Sequence, residues 1–411
     1  MKKILIIEPS SSGTKLIDAC RQLGHSPIVL TANRDDRKID KSILANADEV
    51  HLVDTNNYAA SLLVVQDLKK RIQIDAIIPG FEYYIPLAAE LNEAFGTPGL
   101  DRETALNVRH KHRMRTVIAN AGLRSPRFAT VTTVQEGLMV GREIGFPLVI
   151  KPVAWSGSLM VRRVDDEIAL ASALKTICEE SFSEYGMPPL KQAILEEYVK
   201  GREFSVEGFV LSGNVNIVAI TDKFLGAEPH FVETGHITPA LIEEGSRQTI
   251  EDYVSSVVRA LRITVGPFHC EIRVNEQGPV FIEIGARLGG DHICDLVFYA
   301  KNIDLYRTSV ACYLGDKDVV ARQLEAMRDH QYCGIRYFIR PGLSRYRIAD
   351  YERPLYQWPE LREFYIDIPA GQNIPPAESS LGRIGYVIAT DRDHGALERR
   401  LSDIDQSIRF V

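Results

Sequence analysis

The chain has 411 residues, 45% hydrophobic and 25% charged, with a formal net charge of -7. That length suggests two or three compact units, each able to bury a full core, and no run of like charge offers a nucleic-acid arm or a membrane-surface helix. The six cysteines are dispersed without a C-x-x-C pair or zinc-type histidine spacing, and no apolar stretch suits a bilayer span or a leader, so a cytosolic chain with reduced thiols is expected.

From the first residues, short apolar runs alternate with amphipathic stretches: strand 4–7, helix 15–23, strand 28–30, strand 49–52, helix 58–71, strand 75–78. A helix opened by Pro79-Gly80 then runs to about residue 94. Such alternation predicts an open, mostly parallel sheet with helices on both faces. Strand 4–7 ends in Pro9-Ser10-Ser11-Ser12-Gly13, either an anion-holding turn or a structural one. It is not G-x-G-x-x-G, which argues against a nicotinamide-dependent oxidoreductase.

Thr97-Pro98-Gly99 marks a boundary, and Asp101 is an N-cap signal for a basic helix to about residue 121. Beyond Phe128 come strand, helix 134–144, strand 147–152, a glycine turn, helix 166–180 and strand 192–199. Two hairpins, turning at Ser212-Gly213-Asn214 and Asn275-Glu276-Gln277-Gly278, flank a helix near 243–262. This reads as α+β, with antiparallel sheets covered on one side. A helix is expected at 291–313, and strands at 335–340 and 383–389. No chemistry is legible in 331–411.

Several residues stand out chemically. Lys151 ends the apolar strand Pro147-Leu148-Val149-Ile150, where an ammonium needs an anion. Trp155-Ser156-Gly157-Ser158 follows as a small turn whose N–H groups can close over phosphate oxygens. Lys111, among Arg109, Arg113 and Arg115, reads alone as a solvated face. Glu196-Glu197-Tyr198-Val199, then Glu203, suits a backbone hinge for a base and an acid for a ribose, although solvated strand ends look the same. In Phe268-His269-Cys270-Glu271 and Phe281-Ile282-Glu283, two carboxylates sit in hairpin strands, where side-chain alternation allows them to face the same side. They repel unless a cation lies between them, and magnesium favours such a pair with phosphate and water. Arg287 and the Gly289-Gly290 turn follow directly.

In order and spacing, these segments resemble the ATP-grasp superfamily over roughly residues 1–315. The resemblance implies Lys111 and Lys151 as phosphate lysines, Ser156, Gly157 and Ser158 as the triphosphate loop, and Glu196, Glu197, Tyr198 and Val199 as the adenine hinge. It places Glu203 at the ribose, Glu271 and Glu283 on Mg²⁺ (Mn²⁺ as a substitute), and Arg287 on the migrating phosphoryl group. Gly285 departs from a common pattern, an asparagine that serves as a further metal ligand. The fold implied is ATP-grasp, α/β plus α+β: an N-terminal doubly wound parallel-sheet domain (1–100), a helical connection (101–125), a central ATP-lid subdomain (126–203) and a C-terminal antiparallel-sheet domain (204–411).

Within the superfamily the chain looks most like the L-amino acid ligases of the bacilysin type, dipeptide synthetases that work through an acyl phosphate. Phe231-Val232-Glu233-Thr234-Gly235-His236 resembles their substrate-lining segment, with Glu233 and His236 near the phosphates and acyl carbonyl. Pro79-Gly80-Phe81-Glu82-Tyr83 sits where Glu82 and Tyr83 would meet the first amino acid. Asp291, four residues past Arg287, with Asp295 one turn on, suggests a basic first substrate, arginine before lysine; the competing reading is an N-cap. Small-molecule amino acids are the expected partners, without nucleic acid or membrane, and a homodimer is compatible. Another carboxylate–amine ligase, or a non-catalytic nucleotide-binding module, are the rival readings.

Overall fold

A computed structural model describes residues 1–181, 183–351, 357, 358 and 360–411. Strands β1 (Lys3–Ile7), β2 (Ser26–Thr31), β3 (Glu49–Leu52) and β4 (Ala76–Pro79) form a parallel sheet ordered β3-β2-β1-β4. In β1, Ile4 and Ile6 pack with Leu16, Ile17 and Cys20 on one face, while Leu5 and Ile7 pack with Val65, Leu68 and Leu91 on the other. A strand buried on both faces needs an unbroken apolar run, which Ile4-Leu5-Ile6-Ile7 supplies.

The second sheet, order β5-β8-β6-β7, comprises β5 (Phe128–Val131), β6 (Leu148–Pro152), β7 (Arg162–Val164) and β8 (Ala193–Glu197). Helices Val134–Ile144 and Glu167–Glu179 cover it, with Leu170, Ala173 and Leu174 in its core. The largest sheet is built from β9 (Arg202–Leu211), β10 (Asn214–Leu225), β11 (Glu233–Thr238), β12 (Gly266–Asn275), β13 (Gly278–Gly285), β14 (Tyr332–Phe338), β16 (Leu361–Ile366) and β17 (Gly385–Asp391), ordered β13-β12-β9-β10-β11-β14-β17-β16. A small pair, β15 (Ala349–Tyr351) with β18 (Ile408–Phe410), sits beside it. Residues after 330 thus extend the sheet that carries the hairpin acids. Among the described residues, no helix is long and apolar enough to cross a membrane.

Three expected helices are interrupted. Pro79 closes β4, and a 3₁₀ turn Glu82–Tyr84 precedes helix Ile85–Phe95. Asp101 does cap, accepting from Thr104 N at 2.7 Å, but its helix Arg102–Arg109 breaks at His110 before Lys111–Asn120. There Lys111 N donates to Val153 O across the molecule. The segment 291–313 divides into Ile293–Lys301 and Leu305–Leu314, because Asn302 turns left-handed (φ 56°) and Asp304 caps anew.

The turn after β1 is held against the end of β4 by two glycines. A Cβ on Gly13 would lie 1.7 Å from Gly80 O, so only glycine allows this approach, which sets Ser11 and Ser12 on the central cavity. Gly13→Ala is expected to lose about 1–3 kcal/mol, the usual range for forced overpacking. A urea midpoint within error of wild type would contradict this.

Candidate active site

A cavity of about 420 Å³ lies where the three sheets meet. Its floor is the β12–β13 hairpin, in which Glu271 and Glu283 are direct cross-strand partners and therefore share a face. Both side chains line the cavity, together with Lys111, Lys151 and Arg287. Each acid already meets a cation. Lys111 Nζ lies 3.0 Å from Glu283, and Lys223 Nζ lies 2.8 Å from Glu271. His269 adds a contact to Glu271 at 3.3 Å and is held on its other nitrogen by buried Glu207 at 2.9 Å. Burial opposes charging His269, yet the two carboxylates outweigh it and raise its pKa to about 9.

Lys111 is buried rather than a solvated charge: it opens its helix and also donates from Nζ to Trp155 O at 2.8 Å. Lys151 is buried and bridged to Glu196 at 2.7 Å. Its desolvation outweighs the attraction of Glu196, and its pKa falls below the usual lysine value. Arg115 holds the other oxygen of Glu196 at 2.9 Å. Ser156, Gly157 and Ser158 line the cavity as expected, and Ser380 Oγ donates to Gly157 O at 3.1 Å.

The hinge reading needs correction in part. Glu196 and Glu197 lie in β8, the strand paired on both sides, so sheet hydrogen bonding occupies that stretch and the ladder ends at Glu197. Glu197 and Val199 line the cavity; Tyr198 does not, because its hydroxyl turns to Glu228 at 2.5 Å and its ring lies under Arg163 and Arg273. Glu203 lines the cavity but is shared by Arg273 (2.8 Å) and Lys223 (3.1 Å).

Of the residues expected at the first substrate, Glu82, Glu233, His236, Arg287, Gly290 and Asp291 line the cavity, whereas Tyr83 and Gly289 do not. Glu82 is buried and committed to Arg287, with contacts of 2.7 and 2.8 Å. Burial would raise its pKa, but Arg287, Arg109 and Lys111 hold it below the usual value. Tyr83 is absent from the cavity wall; it packs against the stacked pair Phe81 and Tyr185 and donates to Glu184. Gly290 lines the cavity, whereas Gly289 sits behind it, where a Cβ would meet His269 Nδ1 at 3.1 Å. His236 is buried on the wall with Nε2 3.2 Å from Asp291.

Asp291 neither caps a helix nor waits for a cation. Its backbone is left-handed (φ 54°), His292 holds the cap position, and its carboxylate takes Arg383 through two bonds of 2.8 and 3.1 Å. Burial favours the neutral acid, but Arg383 and His236 drive its pKa well below the usual value. Glu233 also accepts from Arg383, at 2.8 Å. Asp295 turns away to Lys15 at 2.8 Å, tying helix Ile293–Lys301 to the N-terminal domain.

Sequence reasoning missed Lys223, Arg383, Arg115, His269 and Glu184. A lysine inside the apolar stretch of β10 was the one signal available for Lys223; Arg383 offered none.

His110, at the helix break, is pushed down to about 4 by burial and then by Arg109 and His112. Its folded value lies below the ordinary 6.5, so the neutral ring favours the folded state; that contribution holds above pH 6.5 and is lost as pH falls toward 4. Imidazole NMR should show one resonance titrating near 4 that vanishes in His110→Asn. A midpoint above 6 would refute the burial argument.

Among the described residues, no group of three or more His, Cys, Asp or Glu is placed to hold a metal ion. Glu271 and Glu283, paired across the hairpin on the cavity, are two hard oxygen donors of the kind that fit a magnesium ion completing its shell from phosphate and water.

Residues 144–295 match the ATP-grasp domain, and residues 354–411 match the L-amino acid ligase C-terminal domain 2. These matches show an ATP-grasp domain and an L-amino acid ligase C-terminal domain within the chain. It is 26% identical over 284 residues to alanine–anticapsin ligase of Bacillus subtilis, covering 64% of this chain and 60% of that one. It is 27% identical over 279 residues to the L-arginine-specific L-amino acid ligase of Bacillus subtilis, covering 64% of each. The chain thus spans under two thirds of these ligases' length. The crystal structure of the L-amino acid ligase from Bacillus licheniformis superposes with a TM-score of 0.83 at 23% identity, covering 100% of this chain and 98% of that one. In this ATP-grasp chain the glycine at 285 has a local reason: a Cβ there would lie 3.1 Å from Arg287 Cγ, so the arginine packs over the space.

Proposed function

We propose that this is an ATP-dependent ligase that joins two L-amino acids into a dipeptide through an aminoacyl phosphate, releasing ADP and phosphate. The observation that carries the reading is the convergence on one cavity of the opposed Glu271 and Glu283 with Lys111, Lys151 and Arg287. No arrangement of surface ion pairs requires five such residues from distant segments on one wall. The units proposed are 1–100, 101–125, 126–203 and 204–411, in a cytoplasmic enzyme compatible with a homodimer.

Lys111 and Lys151 would bind the ATP phosphates, relaxing their present hold on Glu283 and Glu196. Ser156, Gly157 and Ser158 would cover the phosphates and keep water from the acyl phosphate, which water hydrolyses. Glu197 and Val199 border the base site, and Glu203 the sugar. Glu271 and Glu283 would hold Mg²⁺, which supplies charge neutralisation at the phosphate oxygens when bound. Arg287 would offset charge on the transferring phosphoryl group, and His236 charge on the tetrahedral oxygen as the second amine attacks.

The finer reading, arginine as the first substrate, draws support from the arginine-specific relative. It needs an unshared acid, and Asp291, Glu233 and Glu82 are all matched by the chain's own arginines. The function is tested by measuring phosphate release with ATP across amino-acid pairs, with Glu283→Gln as control. Release with a pair, lost in the control, is expected. ATP binding without ADP formation in any pair would favour a nucleotide-binding module instead.

A further inference from the structure

We propose that Arg383 sets the class of the first substrate's side chain: it takes from within the chain the place of a cationic substrate group, so the pocket accepts an uncharged side chain. This rests on the ligase reading above. Arg383 meets both oxygens of Asp291 (2.8 and 3.1 Å), one oxygen of Glu233 (2.8 Å) and the backbone carbonyl of Glu233 (3.2 Å). Its guanidinium lies 3.9 Å from the centre of the Tyr337 ring. Four polar contacts and a stacked face hold it in one place.

The geometry makes it a counter-ion placed behind the wall. Asp291 and Glu233 line the cavity, whereas Arg383 does not and is only 8% exposed. A substrate meeting these acids finds carboxylates already neutralised. His236 takes a further position on Asp291, and Lys223 stands 3.6 Å from the other oxygen of Glu233. An arginine or lysine side chain would have to share a carboxylate with a buried guanidinium a few ångströms away, a like-charge juxtaposition in a desolvated place. The nearby wall offers Leu288, Ile293 and Leu381, which suit a side chain without charge.

The test compares kcat/KM for leucine, methionine and arginine as first substrate with one fixed amine partner, the product order read by mass spectrometry. Wild type should prefer the uncharged residues by about 100-fold, the scale of a few kcal/mol of repulsion. Arg383→Met, which takes the guanidinium from Asp291 and Glu233, should shift that ratio toward arginine by a similar factor, chiefly through KM. Arg383→Lys keeps a cation and should retain the wild-type preference. Arginine preferred by wild type, or an unchanged ratio in Arg383→Met, overturns the proposal. Should Arg383→Met not fold, Asp291→Ala/Glu233→Gln removes both carboxylates that match the guanidinium and should admit glutamate; failure to admit it overturns the proposal equally. Absence of phosphate release with every pair would remove the ligase reading, while calorimetric titration of leucine and arginine into the protein with MgADP still decides the pocket: tighter leucine supports it, tighter arginine overturns it.

Discussion

Lys223→Met is expected to lower folding stability by about 3–5 kcal/mol, the cost of leaving buried charges without their partner. Lys223 comes from β10 with its side chain buried, and its ammonium stands 2.8 Å from Glu271, 3.1 Å from Glu203 and 3.6 Å from Glu233. Burial alone would depress its pKa, yet the three acids lift it well above the usual value. Arg273, Arg383 and His269 keep partial hold on these acids, so the lower end of the range is the firmer expectation. Urea unfolding of Lys223→Met and of Lys223→Met/Glu271→Gln checks it: the double variant should recover most of the loss. A single-variant loss under about 1 kcal/mol, as for an exposed pair, would show that the network is not held by this lysine.

Arg287→Ala is expected to reduce kcat by about 100- to 1000-fold, the range for removing one preorganised donor from a developing charge. The same change strands Glu82, so stability falls too, and the two effects must be separated. Glu82→Gln/Arg287→Ala removes the buried acid with its partner; it should regain stability and remain inactive. Arg287→Lys preserves charge but loses the fork that meets Glu82 through Nε and Nη2, and should fall between. Turnover in the double variant within tenfold of wild type would leave Arg287 as only a tie between the hairpin and the N-terminal sheet.

The two arginines, 287 and 383, show how differently the site was legible. Glu271 and Glu283 could be read as hairpin acids from the apolar runs and the Asn275–Gly278 turn, and Arg287 follows within a few residues, but they share a face only because a bulge shifts the register between Glu271 and Ile272. Lys111 and Lys151 stood out less, and only the break at His110 explains why the first is buried rather than solvated.

What the amino-acid sequence determined by itself was whatever a local period encodes: the doubly buried β1, the hairpins, the cap at Asp101, and the order of the chemical motifs. The tertiary structure decided which charges meet. Lys223 reaches Glu271 across 48 positions because only β9 separates β10 from β12, and Arg383 reaches Glu233 across 150 because only β14 separates β17 from β11. Strand order in a sheet is a long-range choice with no local repeat, so an acid that reads alone as waiting for a substrate cation can already be answered by an arginine from a segment in which no chemistry was visible.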